Sequence, residues 1–150
     1  MAENTTDFIP CMLIPLQQHY LLLPNSTIAE VIPMPQVSAV AEKPSFWVGE
    51  CHWHTRELPV INVEALIEDK PIDVTAANKL CVLHGINESS DIPVYSLPCY
   101  GVPQLIYLNE STLLLAEESQ DSDFVLYTLQ IGKKTAYIPN LDTIETSLSH

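Results

Sequence analysis

The chain of 150 residues carries six lysines and arginines against nineteen aspartates and glutamates, a formal charge of −13. A polyanion of this kind is repelled by nucleic acid and by anionic lipid surfaces, so neither is an expected partner. With 47% hydrophobic and only 17% charged residues, the composition excludes wholesale disorder and predicts one compact domain, or two small units on a shared core, with apolar surface left over for a protein partner.

Residues 1–7 hold no basic stretch followed by an apolar one, so no signal peptide is expected. Residues 1–7 and 147–150 read as flexible termini around a single domain spanning residues 8–146. Segments 11–14 and 19–23 read as strands separated by Gln17-Gln18. Thr27-Ile-Ala-Glu30 fits a capping box, which predicts a helix of at most about two turns before Pro33. Strands follow at 50–54 and 58–62, joined by Thr55-Arg56-Glu57. Asn62 then stands as N-cap of a short helix with Val63, Leu66 and Ile67 on one apolar face. Strands at 79–84 and 92–97 flank the turn Gly85-Ile86-Asn87-Glu88, and Val102-Pro-Gln-Leu-Ile-Tyr107 reads as a second short helix. The acidic run 115–123 reads as a solvated loop, because Glu117, Asp121 and Asp123 lack the spacing of a calcium loop. Strands at 123–131 and 134–138 around Gly132-Lys133, and a capped helix from Asn140, complete the chain. Twelve prolines spread from residue 10 to residue 139 forbid long helices. No apolar run approaches a membrane span. The class is mostly β.

The second half echoes the first. Leu21-Leu-Leu-Pro24 resembles Tyr95-Ser-Leu-Pro98, 74 residues on, and Leu58-Pro-Val-Ile-Asn62 resembles Ala136-Tyr-Ile-Pro-Asn140, 78 residues on. Two related β units follow, each a small barrel, packed through an apolar layer that buries residues such as Ile61, Leu66, Tyr137 and Ile144.

Chemistry-bearing motifs are sparse. The four glycines are singly placed, so there is no phosphate loop. Neither a nucleophile elbow nor a His-Glu-x-x-His motif appears. Cys11, Cys51, Cys81 and Cys99 lie far apart without a Cys-x-x-Cys pair and read as reduced core residues of a cytosolic protein. One cluster could hold a metal. On a strand, Glu50, His52 and His54 share a face while Cys51 and Trp53 point the other way, and two imidazoles with a carboxylate suit a first-row metal. A small metal-binding β protein is therefore the alternative to an interaction module. No other cofactor is expected.

Three stretches carry a family resemblance. They are Tyr20-Leu-Leu-Leu-Pro-Asn-Ser-Thr-Ile-Ala-Glu-Val-Ile-Pro-Met-Pro35, Pro44-Ser-Phe-Trp-Val-Gly49 and Leu58-Pro-Val-Ile-Asn-Val-Glu-Ala-Leu-Ile67, and together they resemble the CheW-like family. Residues 92–97 with Gly101-Val-Pro-Gln-Leu-Ile resemble the family's second strand-and-helix unit, and Gly132-Lys-Lys-Thr-Ala-Tyr-Ile-Pro-Asn-Leu-Asp its closing hairpin. The resemblance spans about residues 8–146 and implies two intertwined, five-stranded SH3-like barrels sharing a hydrophobic core. It also implies a non-enzymatic, cytoplasmic bacterial adaptor that bridges a chemoreceptor's cytoplasmic tip to the regulatory domain of a CheA-type histidine kinase, with no membrane insertion. The short acidic chain is most similar to the ChpC-type adaptors of twitching-motility, type IV pilus systems. By position, Ile28, Glu30 and Val31 match the family's groove helix, and His52 and His54 match its hairpin, as partner-binding residues. Where the family reads Gly-x-x-Asn-Leu-Arg-Gly, this chain reads Gly49-Glu-Cys-His-Trp-His-Thr55. The family's Arg is thus His54, and a Glu–Arg arrangement with Glu30 becomes Glu–His.

Overall fold

The computed structural model describes residues 8–87, 92–109, 111, 116–118 and 122–148. In chain order these form β1 (Ile9–Pro15), β2 (Tyr20–Pro24), a 3-10 turn (Asn25–Thr27), β3 (Ile28–Pro33), β4 (Trp47–Trp53), β5 (Arg56–Ile61), α1 (Val63–Glu68), β6 (Lys79–His84), β7 (Val94–Cys99), β8 (Gln104–Leu108), β9 (Glu117–Glu118), β10 (Val125–Ile131), β11 (Lys134–Pro139) and α2 (Leu141–Leu148). Among these residues no helix is long and apolar enough to cross a membrane. The helix continues two residues beyond 146 and Leu148 is buried, so the packed chain runs past the expected boundary.

The strands make two sheets, ordered β8-β1-β2-β11-β10-β9 and β3-β6-β7-β5-β4. Neither sheet belongs to one half of the chain. The hairpin β1–β2 sits between β8 and β11, and the hairpin β6–β7 sits between β3 and β5. Each half thus gives its hairpin to one sheet and its last strands to the other. The exchange obeys the sequence repeat. Parallel pairing of Ala136 with Tyr20 in the first sheet corresponds, through the 74- and 78-residue offsets, to the parallel β5–β7 register in which Val60 meets Ser96. The repeat taken alone suggests one barrel per half; the structure has two SH3-like units, each built from both halves, the intertwined arrangement that the family resemblance implies.

Three apolar layers result. One fills the first unit around Leu13, Leu22 and Leu129, and another fills the second around Leu58, Val60 and Val82. Between them lies the shared layer, where Ile61 and Ile144 are fully buried and Leu66 and Tyr137 pack against them, as the repeat implied.

Two expected helices are strands. At 27–30 the capping box does not form. The 3-10 turn has no side-chain cap, and the chain extends from Ile28 to pair with β6, Ile28 opposite Leu83 and Pro33 opposite Lys79. Ile28, Val31 and Ile32 are β-branched, and the ladder offered by β6 outweighs a short capped turn. Residues 104–108 likewise form β8, paired with β1 from Ile9–Leu108 to Leu13–Gln104. In the acidic run, Glu117 and Glu118 form β9 against β10; residues 115 and 119–121 lie outside the described residues, as do 1–7, Glu88 and 149–150.

Both expected N-caps are present. Asn62 Oδ1 accepts from the Ala65 amide at 3.1 Å and Asn140 Oδ1 from Thr143 at 3.2 Å. Each helix also turns a buried carboxylate onto the hairpin of its own half of the chain. Glu64 accepts the amides of Gln17 (2.8 Å) and Gln18 (2.9 Å), and Glu145 accepts those of Ile86 (2.9 Å) and Asn87 (2.7 Å).

The second sheet curls until its two edge strands approach. Residues beyond β3 cross to β4, where Ser38 and Glu50 exchange amide–carbonyl bonds of 2.9 and 2.8 Å. Gly49 permits the crossing, since a Cβ there would stand 2.3 Å from the Ser38 carbonyl oxygen and 2.8 Å from Val37 Cγ1. Gly49→Ala is therefore expected to cost about 3 kcal/mol, the upper part of the overpacking range. Thermal denaturation should show a drop on the order of 10 °C.

Candidate interaction site at the β4–β5 hairpin

β3 and β4 are the two edges of the second sheet, and the outer side of β4 is paired through Glu50 with Ser38. They meet where β3 begins and β4 ends. Glu30, on β3, reaches the hairpin tip, and its Oε1 accepts a 2.9 Å bond from Trp53 Nε1 and lies 3.5 Å from His54 Nε2. The Trp53 and His54 rings meet edge to face, centroids 4.4 Å apart. His54 is the first residue of the two-residue turn and has φ +55°, a left-handed conformation that histidine adopts more readily than β-branched residues do. His52 Nδ1 lies 2.9 Å from Glu57 Oε1 on the neighbouring strand.

Of the five residues singled out by sequence, the structure brings Glu30 and His54 together and holds His52 beside them on the same hairpin, all three exposed. Ile28 and Val31 do not share a helix face with Glu30. Both are half-buried against the shared apolar layer, on β3. The side chains of Glu30 and His54 are 45% and 67% exposed, so the contact between them contributes little to stability, about 1 kcal/mol or less. Its consequence is a polar tip held at one sheet edge.

The grouping of Glu50, His52 and His54 on one strand face fails at its third member. The strand ends at Trp53, and the left-handed turn directs His54 to Glu30. Among the described residues no three His, Cys, Asp or Glu side chains converge on a metal-holding position. All four cysteines are buried. Burial pushes the Cys99 thiol up to about 12 and holds Cys81 higher still; Cys11 and Cys51 are raised as well, the latter also by Glu57. The thiolate is the reactive form. An aromatic disulfide reagent is therefore expected to leave the native thiols unreacted and to titrate four after denaturation.

Two features escaped the sequence reading. One is Trp53, which shares the Glu30 oxygen; only contact between sequence-distant strands reveals it. The other is an uncharged edge on the first sheet. There β8 exposes Leu105 and Tyr107 (61% exposed), with Phe8, Ile9 and Val102 nearby in the chain or across the ladder. The sequence reading took that segment for a short helix, by its echo of the first half, and so missed the edge strand. By the internal repeat, β8 occupies in the first sheet the place that β3 occupies in the second.

The CheW-like domain family matches residues 10–147, which is nearly the whole chain. The chain belongs to the CheW-like family. Members are non-enzymatic scaffold adaptors of chemotaxis-type signalling. The fold is similar to that of the scaffolding protein TtCheW from Thermoanaerobacter tengcongensis, with a TM-score of 0.71 and 16% identity over 94% of this chain and 90% of that one. No curated protein matches the chain at a significant level. His54 and Thr55, where the resemblance implies a departure from the family pattern, form the turn of the hairpin whose tip Glu30 closes.

Proposed function

We propose that this CheW-like chain is a cytoplasmic adaptor coupling a chemoreceptor's cytoplasmic tip to the regulatory domain of a CheA-type histidine kinase, in a chemotaxis-type or type IV pilus (ChpC-type) system. The observation that carries the reading is the pair of repeat-related strand edges, one on each unit and different in character. The β3 edge ends in the polar Glu30–Trp53–His54 tip, with Ile28 and Val31 half-buried along it and His52 alongside, and it is assigned to the receptor. The β8 edge, apolar and uncharged, is assigned to the kinase, whose regulatory domain would add its own barrel edge by strand pairing.

Separate substitutions test the two assignments. Glu30→Gln and His54→Asn should each weaken binding of a receptor-tip fragment by about three- to tenfold. Asn keeps the left-handed turn, so the melting temperature should move by no more than about 2 °C. Tyr107→Asp should weaken kinase binding and spare the receptor. Full receptor affinity in His54→Asn, accompanied by a large loss of stability, would instead make His54 a folding residue.

A further inference from the structure

Beside the hairpin tip, β5 and the start of β7 border a cleft of about 360 Å3 whose lining includes Arg56, Glu57, Pro59, Ile92, Pro93 and Val94. Arg56 is the chain's single arginine, and it is exposed. Acidic side chains outnumber basic ones nineteen to six, yet among the described residues the Arg56 guanidinium enters no ion pair or hydrogen bond. Two acids of the hairpin region are already engaged, Glu57 by His52 at 2.9 Å and Glu30 by Trp53 and His54. The cleft therefore joins an uncommitted guanidinium to a wall of two prolines, an isoleucine and a valine.

We propose that this cleft receives one carboxylate side chain of the receptor tip, an Asp or Glu with an apolar neighbour, and that Arg56 anchors it. The inference rests on the receptor-coupling reading and names the chemistry of its partner. A surface of charge −13 repels a carboxylate nearly everywhere, so a lone arginine in a cleft sets where such a partner can seat and in what register. The planar fork binds a carboxylate through two parallel hydrogen bonds, which a lysine cannot reproduce. The Pro59, Ile92, Pro93 and Val94 wall excludes water on one side, strengthening the charge contact and covering the apolar neighbour.

The test is calorimetric titration of the full chain with a receptor-tip fragment and, in parallel, with the kinase regulatory domain, at low and moderate salt. Arg56→Glu should weaken receptor binding by at least about tenfold and reverse its salt dependence, while Arg56→Lys should lose part of the affinity. Kinase binding should stay within about twofold, and the melting temperature should hold, since Arg56 is exposed. Reversing the matching receptor acid to arginine should restore binding to Arg56→Glu. Unchanged receptor affinity in Arg56→Glu overturns the inference and leaves the coupling reading standing. Equal loss for the kinase overturns it by assigning the cleft to the other partner. Saturable binding of glutamate alone, with receptor affinity untouched, overturns it in favour of a small-molecule site. A wild-type chain that binds no receptor removes the coupling reading and the inference together.

Discussion

Residues 1–78 expressed alone, and residues 79–150 expressed alone, are each expected to be unfolded, and an equimolar mixture is expected to regain the native circular dichroism spectrum. The reason lies in the exchange of hairpins. Without the second half, β1–β2 loses β8 on one side and β11 on the other; without the first, β6–β7 loses β3 and β5. An isolated hairpin is marginal in water. The shared layer is also split, because Leu21, Leu23, Ile61 and Val63 come from the first half and Tyr95, Leu97, Ile144 and Leu148 from the second. A half-chain of this kind buries too little apolar surface to offset its conformational entropy. The intact chain should consequently melt in a single transition. A native-like melting curve from either half alone would contradict the exchanged topology.

The second large effect is expected at Glu145. Its carboxylate is fully buried on α2, where it accepts the Ile86 and Asn87 amides and the Tyr95 hydroxyl, the last at 2.8 Å. Burial, then the adjacent carboxylate, holds the Tyr95 phenol far above its ordinary range, so it remains a donor at any working pH. Glu145→Ala strands three donors around a cavity. The expected cost is about 3–5 kcal/mol, on the order of 10 °C in Tm for a chain of this size. Glu145→Gln fills the space but turns an amide donor toward other donors, so it should recover less than half of the loss. Asp142→Asn, on the exposed face of the same helix, should change stability by under about 1 kcal/mol. Denaturant titration of the three variants checks the order, and a Glu145→Ala chain as stable as wild type would show that the clasp does not matter.

Much of the strand content was legible because its signals are local. Leu80-Cys-Val-Leu83, buried on both faces in the middle of a sheet, reads as a continuous apolar run. Asn62 and Asn140 carry their caps on their sleeves of sequence, three residues ahead of the amides they bind. The misreadings share one cause. Thr27 and Glu30 satisfy a local helix pattern, but Glu30 spends its oxygen on Trp53, 23 residues away, and β3 exists because β6 offers a ladder some fifty residues downstream. The internal repeat was visible at offsets of 74 and 78. Which sheet each hairpin joined was not, since a repeat specifies units and leaves their pairing open. At the candidate site, the Glu30–His54 approach followed from the family resemblance and was met by the geometry. Glu64 and Glu145 were illegible for another reason: on a short helix a buried acid has the same spelling as a solvated one, and only the loop amides it grips set it apart.

The most direct test of the adaptor reading is reconstitution of three purified components: a receptor-tip fragment assembled in its native oligomeric form, the CheA-type kinase of the source organism, and this chain. Co-sedimentation at moderate salt should carry kinase with receptor only when the chain is added, and Tyr107→Asp should leave the chain on the receptor while releasing the kinase. Kinase that sediments equally well without the chain, or a chain that binds neither component, would contradict the account.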